Sequence, residues 1–568
     1  MADTDATEKD LDVQKMAGTD TSNEINGKEA KSPDAVPTDS IRDNKGEKSN
    51  MSLFLLMASL FLGVFVMALD QTIVGTAVPA ITTQFNSLDD IAWYGSGYLL
   101  TITAFQPTFG KLYKFLDVKV VFMACILIFE VGSILCAAAP SSAAFIVGRA
   151  IAGAGAAGLF QGALAIITVT IKLDKRPLCI SIVTSTFAVS VAIGPVIGGV
   201  FSDKVTWRWC FWLNVPIGGV VLILIFFILR LPSHAKDPKF QSLSLLGKLQ
   251  RLDPLGSLFI IGAVVSILLA LQWGGQSKPW NASTVIGLFV GFALLLGVFI
   301  FIQLKQGENA TFSLTLLSQR SILASALFSF FFSMPTYVYG YYIPLYFQTA
   351  KGTSATESGT RFLALALPQV FGVVLSGALV TAIGIYVPFM IVGTAVGLVG
   401  CGLFLMLDLD TPRALWAVFL VICGTGTGIS INLPYTVVQA VLDETHAPTG
   451  NAVLQFMFQL GGLSIGQTIF LNQLKGSAKV LTPSVPYEVI VQAGAYNLRG
   501  IATSDELYDQ LRQVYMNALH STYIFPVVVA GLALVTTFAL EHKNIKVISK
   551  EREEAKANVD KKPSSGDQ

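Results

Sequence analysis

Three charged side chains lie inside long apolar runs of this 568-residue sequence: Asp70, Glu130 and Arg149. A charge at the centre of a membrane helix costs about 2.5–3.5 kcal/mol on insertion scales, so such residues are candidates for a function. A buried carboxylate can capture and release a proton, because a nearby arginine favours its ionised form while desolvation favours its neutral form. We therefore predict proton coupling at these residues, with Arg149 exchanging between the two carboxylates and backbone carbonyls. The alternative is a static ion-pair network that fixes helix packing.

The composition indicates that membrane helices position these charges. Hydrophobic residues make up 53% of the chain and charged residues only 13%, and the mean hydropathy is +0.62. Apolar runs of about 18 or more residues, enough to cross about 30 Å of hydrocarbon, recur along most of the chain. The net charge of +1 leaves no basic excess of the kind that binds nucleic acid. The chain is thus predicted to be an all-α polytopic protein of the lipid bilayer without a nucleic-acid partner.

Fourteen apolar segments predict fourteen transmembrane helices. They cover residues 53–78, 91–112, 118–139, 143–170, 177–201, 211–231, 255–273, 284–304, 322–349, 360–383, 386–407, 414–438, 450–473 and 521–540. On these bounds the three charged residues lie at a similar depth in the outer half of the membrane.

The polar segments set the predicted topology. Residues 1–50 are polar and lack apolar periodicity, which predicts a disordered cytosolic tail. Residues 541–568 form a second cytosolic tail, and Lys and Arg concentrate in the loops assigned inward, as the positive-inside rule requires. Residues 474–520 are predicted to form a long external loop, within which 504–519 can fold as a short interfacial helix.

Motifs in an ordered succession give the chain a family resemblance. The most specific are LDQTIVGTAVPAI (69–81), GKLYKFLDVKVVF (110–122), GRAIAGAGAAGLFQGAL (148–164), GPVIGGVF (194–201) and WRWCFWLNVPIGG (207–219). Together they resemble the fungal drug:proton antiporter branch of the major facilitator superfamily that has fourteen helices. The resemblance continues in family order through YYIPLYFQ (341–348), SGTRFLALALP (358–368), LPYTVVQAVL (433–442) and FMFQLGGLSIGQTIFLNQL (456–474).

This resemblance implies the major facilitator fold. Two six-helix bundles, at residues 53–231 and 322–540, are expected to be related by a pseudo-two-fold axis along the membrane normal. Two additional helices, over 255–304, are inserted between them. Substrate is expected to bind between the bundles near the midplane and to be exposed to alternate sides as the bundles rock.

The loop after the second helix departs from the superfamily pattern. Lys114 stands where an Asp is common and Asp117 where a Gly is common, so the gating ion pair usually assigned to that Asp cannot be carried over to Lys114. Asp117 or the basic cluster itself is left to serve instead. Gly110 and Gly153 are further candidates for gating or close helix packing.

Small residues in the fifth helix suggest a packing seam. Gly194, Pro195, Gly198 and Gly199 predict a bend or sliding seam between the bundles, or packing alone. GAGAAG (153–158) matches the dinucleotide-binding pattern, but no βαβ pattern surrounds it, so we interpret it as a helix-packing face. The sequence contains no P-loop, which argues against ATP as the energy source.

Polar and aromatic side chains inside apolar helices predict a cavity of amide and aromatic character, suited to uncharged or weakly polar organic molecules. Each alone is also compatible with ordinary interhelical packing. They are Gln161, Tyr337, Tyr341, Asn432, Gln455, Phe458 and Gln459. Asn281 begins a glycosylation sequon in an external loop, whereas the sequon at Asn309 falls on the cytosolic side.

The resemblance implies secondary active efflux of xenobiotics or fungal secondary metabolites by proton antiport. The expected site is the plasma membrane, or alternatively a vacuolar or vesicle membrane, and the chain is expected to act as a monomer without a cofactor. Uptake of siderophore-iron or another solute is the second transporter hypothesis. An enzyme would need a metal or acid-base cluster at a membrane face, which the four histidines do not offer. A receptor or sensor is least favoured, because the tails are short and polar.

Overall fold

The computed structural model describes residues 50–87, 90–229, 243–244, 247, 251–275, 278–307, 310–312, 314–461, 465–493 and 498–561. Apart from isolated bridges, the regular structure of these residues is helical. The predicted disordered tail lies outside the described residues except for Asn50, which begins the first helix. The predicted C-terminal tail contains a helix over Ile545–Lys561.

Six helices form the N-terminal bundle. They are α1 (Asn50–Phe85), α2 (Ile91–Phe115), α3 (Val118–Ala137), α4 (Ser142–Thr170), α5 (Arg176–Lys204, after a 3-10 turn at Leu173–Lys175) and α6 (Trp209–Ile228, with a turn at Leu213). Helix α4 packs between α2 and α3, while α1 packs on α5 and α6. This arrangement brings α1, α3, α4 and α6 around one interior.

Two further helices, α7 (Pro254–Trp273) and α8 (Ser283–Gln306), pair with each other. We call α7 and α8 the inserted pair. It contacts the N-terminal bundle through α2.

The C-terminal bundle follows a short helix at Leu314–Leu317. It contains α9 (Arg320–Thr349), α10 (Ala355–Ile383), α11 (Val387–Leu403, continued by a 3-10 turn at Phe404–Met406), α12 (Arg413–Val441, with a turn at Asn432), α13 (Ala447–Gly461), α14 (Ile465–Leu481), α15 (Tyr487–Ala493), a short helix at Leu498–Ile501 and α16 (Asp505–Thr537). Helix α17 (Ile545–Lys561) ends the described chain. Helix α12 packs between α10 and α11, and α9 packs on α13 and α16.

The structure is consistent with fourteen membrane-spanning helices. Thirteen spans in the described part of the chain are long and apolar enough to cross a membrane, with 447–481 counted as one span that includes α13 and α14. Helix α2 falls short on hydropathy, although its 25 residues give it sufficient length. Its polar side chains, such as Tyr98, Thr103 and Gln106, are buried against other helices rather than exposed to lipid.

The segment predicted to be a long external loop, 474–520, is largely helical where the structure describes it. Helix α14 extends to Leu481, and α16 is one continuous helix from Asp505, so residues 505–519 do not form a separate interfacial helix. The hydroxyl of Ser504 accepts a hydrogen bond from the Leu507 backbone at 3.1 Å and caps α16. Two acidic residues in its first turn complement the helix dipole. These local signals start the helix well before its apolar part.

The two bundles meet along α2 with α13 and along α5 with α10. We call the end that carries Gly110, Arg176 and Val441 the inner end; it is the end predicted to face the cytosol. A Cβ atom on Gly110 would overlap Ala452 of α13, and one on Gly377 of α10 would overlap Ser181 of α5. The backbones are therefore in close contact here, and the inner end is closed.

Gly194 and Gly198 of α5 pack inside the N-terminal bundle, which agrees with the packing alternative and not with a seam between the bundles. A Cβ atom on Gly194 would overlap Thr72 of α1, and one on Gly198 would overlap Thr76 of α1. Gly199 has open space where a side chain would project. Pro195 lies inside α5 in the same segment. The two packed glycines are four residues apart and share the face turned to α1, so they bring α1 close to α5.

Candidate functional site

Asp70 of α1 and Arg149 of α4 form a buried ion pair. Arg149 Nη1 lies 2.5 Å from Asp70 Oδ2, and the two side chains are only 1% and 0% exposed. The pair is formed because α1 and α4 both reach the interior of the N-terminal bundle at this depth. The prediction that these charges meet thus agrees with the geometry; their role in coupling stays a prediction.

Further hydrogen bonds and a cation–π contact hold both side chains of this ion pair. Asn214 of α6 donates its side-chain amide to Asp70 Oδ1 at 3.0 Å and to the hydroxyl of Ser133 at 3.1 Å. Arg149 Nε donates to the Tyr94 backbone carbonyl at 3.0 Å, and the guanidinium lies 4.4 Å from the centroid of the Tyr98 ring. Each ionised group is therefore held by several partners, as a buried charge requires.

Sequence reasoning missed Asn214 and Tyr98 as partners. Asn214 lies within the WRWCFWLNVPIGG motif, at the point where α6 resumes after Leu213, so the motif itself carried the available signal. Tyr98 had no comparable signal, because an aromatic residue in an apolar helix is ordinarily part of the core.

Glu130 of α3 is close to this network but does not join it. Its side chain is buried, with 7% exposure, and neither carboxylate oxygen has a hydrogen-bond partner in the structure as described. The carboxylate lies against Gly218 of α6, where a Cβ atom would overlap Oε1. The predicted exchange of Arg149 with Glu130 is not seen in this conformation, in which Arg149 binds Asp70 and a backbone carbonyl instead.

Some of the predicted cavity residues form a polar and aromatic cluster. Tyr337 donates to Gln459 Oε1 at 2.7 Å, and its ring lies 6.0 Å from that of Phe458. Gln455 hydrogen-bonds to Tyr435, whose ring lies 5.5 Å from Phe160 of the opposite bundle. The cluster therefore spans the face between the bundles.

A second amide pair lies within the N-terminal bundle. Gln161 of α4 donates to Gln106 Oε1 of α2 at 3.1 Å, and both side chains are buried. One amide hydrogen-bonding group of each residue, Gln106 Nε2 and Gln161 Oε1, has no protein partner among the described residues. The pair thus retains one donor and one acceptor for a ligand or water.

Two predicted cavity residues lie elsewhere. Asn432 is fully buried and hydrogen-bonds to Ser181 of α5 and Ser376 of α10, so it joins the two bundles. Tyr341 is 67% exposed and packs on Tyr342. The structure does not bring either residue to the Tyr337 and Gln459 pair.

Hydrogen bonds between polar side chains of the two bundles also close the inner end. Arg176 of α5 donates to Gln439 Oε1 at 3.2 Å and to Glu444 at 3.0 Å, across the two bundles. Arg552 of α17 donates to the backbone carbonyls of Gln439, Ala440 and Leu442, where α12 ends. By sequence, Arg176 is one of the basic residues in the loops assigned inward, and Arg552 carries no signal for this contact.

The remaining gating candidates have distinct positions. Gly110 contacts α13, as described above, and Gly153 packs where its Cβ atom would overlap the Tyr98 carbonyl and the Thr101 hydroxyl of α2. Asp117 caps α3 by accepting hydrogen bonds from the backbones of Lys119 at 2.9 Å and Val120 at 3.3 Å. Its position is typical of a helix cap.

Comparisons with known proteins agree with this architecture. The family model described as Major Facilitator Superfamily matches residues 60–466, more than half of the chain. The chain is 39% identical over 501 residues to "MFS-type efflux pump MFS1" of Arthroderma benhamiae, which covers 88% of this chain and 93% of that protein. It is 39% identical over 523 residues to "Efflux pump roqT" of Penicillium rubens, covering 90% and 96% of the two proteins. "Efflux pump aflT" of Aspergillus parasiticus is 38% identical over 502 residues, covering 88% and 97%.

Solved structures share the fold at low sequence identity. A crystal structure of the human organic anion transporter MFSD10 (TETRAN) matches with a TM-score of 0.53 and 15% identity, covering 86% of this chain and 99% of that chain. A crystal structure of a double-tryptophan XylE mutant matches with a TM-score of 0.58 and 12% identity, covering 88% and 98%. With the family match and the closely related fungal proteins, the chain belongs to the major facilitator superfamily of multi-pass membrane transporters.

Proposed function

We propose that this transporter exports small organic molecules by proton antiport with alternating access. The observation that carries the proposal is the buried Asp70 and Arg149 pair inside a member of a transporter family. Beside the pair lies Glu130, which has no hydrogen-bond partner in the described part of the chain. Related fungal proteins are named as efflux pumps, which supports export as the direction.

The arrangement of charges supports protons as the coupling ion. Asp70 has both oxygens engaged, by Arg149 and Asn214, while Glu130 has no hydrogen-bond partner among the described residues. We infer that, when a proton neutralises Asp70, Arg149 loses its counter-ion and moves toward Glu130, whose carboxylate has no hydrogen-bond partner among the described residues. Each exchange changes the contacts of α3 and α4 with α1, so proton binding is linked to the bundle conformation.

A proton gradient supplies enough energy for useful export. A driving force of about 150 mV corresponds to about 3.5 kcal/mol per charge, or a concentration ratio of a few hundred. The amide and aromatic cluster between the bundles supports a cargo that is uncharged or weakly polar. We propose that the transporter resides in the plasma membrane and works as a monomer. Both of its termini are proposed to lie in the cytosol.

A transport assay tests the direction and the energy source. The chain is expressed in a yeast strain that lacks its own drug pumps, and accumulation of the uncharged aromatic dye Nile red is measured. We expect severalfold lower accumulation than in the empty strain, and a protonophore should abolish the difference. Dye accumulation above that of the empty strain, or a difference that survives the protonophore, would contradict proton-driven export.

Replacing Glu130 with glutamine tests the second carboxylate. We expect the substitution to flatten the dependence of export on external pH between about pH 5 and pH 8, because glutamine cannot gain or lose a proton. Export rates over this range are compared with those of Val131→Ala, a change at an exposed side chain of the same helix that retains Glu130. An unaltered pH profile in Glu130→Gln would assign that residue a packing role only.

A glycosylation assay tests the proposed topology. Asn281 is exposed in the segment between α7 and α8, which is predicted to be external. In cells with a secretory pathway, we expect a glycosidase-sensitive mass shift that Asn281→Gln removes. A shift that persists in this variant and disappears in Asn309→Gln would place the opposite face outside and reverse the topology.

A further inference from the structure

The buried carboxylate of Asp253 lies at a junction of three parts of the fold. The residue precedes α7 with a left-handed backbone (φ +51°) and is 0% exposed. Lys111 of α2, one residue after Gly110, places its Nζ 3.7 Å from Asp253 Oδ2. Lys111 Nζ also donates to the Arg251 carbonyl at 3.3 Å. The inserted pair is therefore joined by a buried charge contact to the segment of α2 that closes the inner end.

The other partners of Asp253 come from the inserted pair and from the segment that leads to the C-terminal bundle. Gln303 and Gln306 of α8 donate to it at 2.9 Å and 2.7 Å. The hydroxyl of Thr311 donates at 2.7 Å. The Gly256 backbone donates at 2.8 Å, which caps α7. Burial opposes ionisation of Asp253, but these hydrogen bonds and Lys111 hold the pKa of its carboxyl below the usual range.

An aromatic contact continues this junction to α13. The backbone N–H of Phe312 donates to Gln303 Oε1 at 3.0 Å. The centroid of the Phe312 ring lies 5.9 Å from that of Phe299 in α8 and 5.4 Å from that of Phe456 in α13. Asp253 thus links α2, through Lys111, to a segment packed on α13. These are the two helices whose close contact at Gly110 and Ala452 closes the inner end.

We propose that Asp253 is a gate-positioning residue, through which the inserted pair holds α2 against α13 and favours the closed inner end. Rocking of the bundles must separate α2 from α13, so it must break at least one contact in the series from Lys111 through Asp253 to Phe312 and Phe456. The two additional helices thereby act on the gate through Asp253 and Lys111. The inference rests on the alternating access of the proposed function.

Distances across the inner end test this role directly. Spin labels are placed on Val120→Cys of α3 and Ile383→Cys of α10, which are 64% and 48% exposed, in a Cys179→Ser background. Cys179 is the one native cysteine that is not buried. The full-length protein is studied in lipid nanodiscs at pH 5 and pH 8 by double electron–electron resonance. For the wild type we expect two distance populations whose ratio depends on pH.

Asp253→Asn removes the charge with little change of shape. We expect the ratio of open to closed inner end to rise by about fivefold or more, since charge-assisted hydrogen bonds are the strong ones in such a junction. Lys111→Met should shift the ratio in the same direction. In the variant that carries both substitutions, the ratio of open to closed inner end should not exceed that of Asp253→Asn alone. Thr311→Val removes one neutral donor, so it provides a milder variant with a smaller expected shift.

The matched control removes a hydrogen bond between α7 and α2 at the end of these helices that is remote from Asp253. Gln272 of α7 donates to the Ser96 hydroxyl of α2 at 2.9 Å, and Gln272→Leu removes that contact without touching Asp253. The control should retain the wild-type ratio. An equal shift in Gln272→Leu, or a wild-type ratio in both Asp253→Asn and Thr311→Val, would overturn the gate-positioning role. A single distance in the wild type at both pH values would instead count against alternating access itself.

Discussion

Asp70→Asn is expected to lower proton-dependent export by about 100-fold or more, because it removes the ionisable partner of Arg149. The variant also leaves a buried guanidinium without its counter-ion, and breaking one side of a buried pair typically costs about 3–5 kcal/mol of stability. Export is therefore measured per correctly localised molecule, with surface abundance and thermal unfolding determined in parallel.

A double variant separates coupling from packing. In Asp70→Asn with Arg149→Gln both charges are gone, so the cost of the unpaired cation disappears and much of the stability should return. If the pair carries proton coupling, export stays low despite the recovered stability. If the pair is a static packing element, the double variant recovers export together with stability, and the coupling role would be refuted.

Gly153→Ala is expected to have the second large effect, on folding. Alanine is normally the better helix former by about 1 kcal/mol. At this position, however, its methyl group would overlap the Tyr98 carbonyl, a backbone atom that cannot rotate away. Overpacking of this kind costs about 1–3 kcal/mol or more, so α2 and α4 must separate. Because Tyr98 also packs on Arg149, the ion pair is displaced as well.

The matched control for this substitution is Gly199→Ala in α5, where the added methyl group meets no atom within 4 Å. We expect thermal unfolding of the detergent-solubilised control to match the wild type or to occur at a higher temperature, while Gly153→Ala yields little folded protein. Similar unfolding temperatures for both variants would contradict the close packing of α2 on α4.

Much of the fold was predictable because lipid imposes a simple rule on sequence. Spanning helices must be long and apolar, so their number could be counted, and charges within them are rare enough to identify Asp70 and Arg149. The helical bounds failed at α16, because the capping Ser504 and the polar first turns carry no hydropathy signal. Gly194 and Gly198 left two interpretations open, a seam between bundles or packing alone, because small residues reveal close packing but not the partner helix.

The contacts that complete the site depend on long-range packing. Asn214 meets Asp70 across 144 residues of sequence, and Arg552 reaches Leu442 across 110. Neither partner is distinguishable by residue type from an ordinary polar residue of a helix. By sequence, Asp253 is likewise typical of a helix N-cap before Pro254. Only the fold brings Lys111 and Thr311 to its carboxylate. Sequence periodicity determines which face of a helix is apolar but not which residue it meets.

The most direct test of proton-driven export uses purified protein in liposomes. Uptake of Nile red into the lumen is followed after an acid-inside pH gradient is imposed, for the wild type and for Asp70→Asn with Arg149→Gln. The account predicts concentrative uptake by the wild type that collapses when the gradient is dissipated, and none by the double variant. Equal uptake by both proteins, or wild-type uptake that does not depend on the pH gradient, would contradict it.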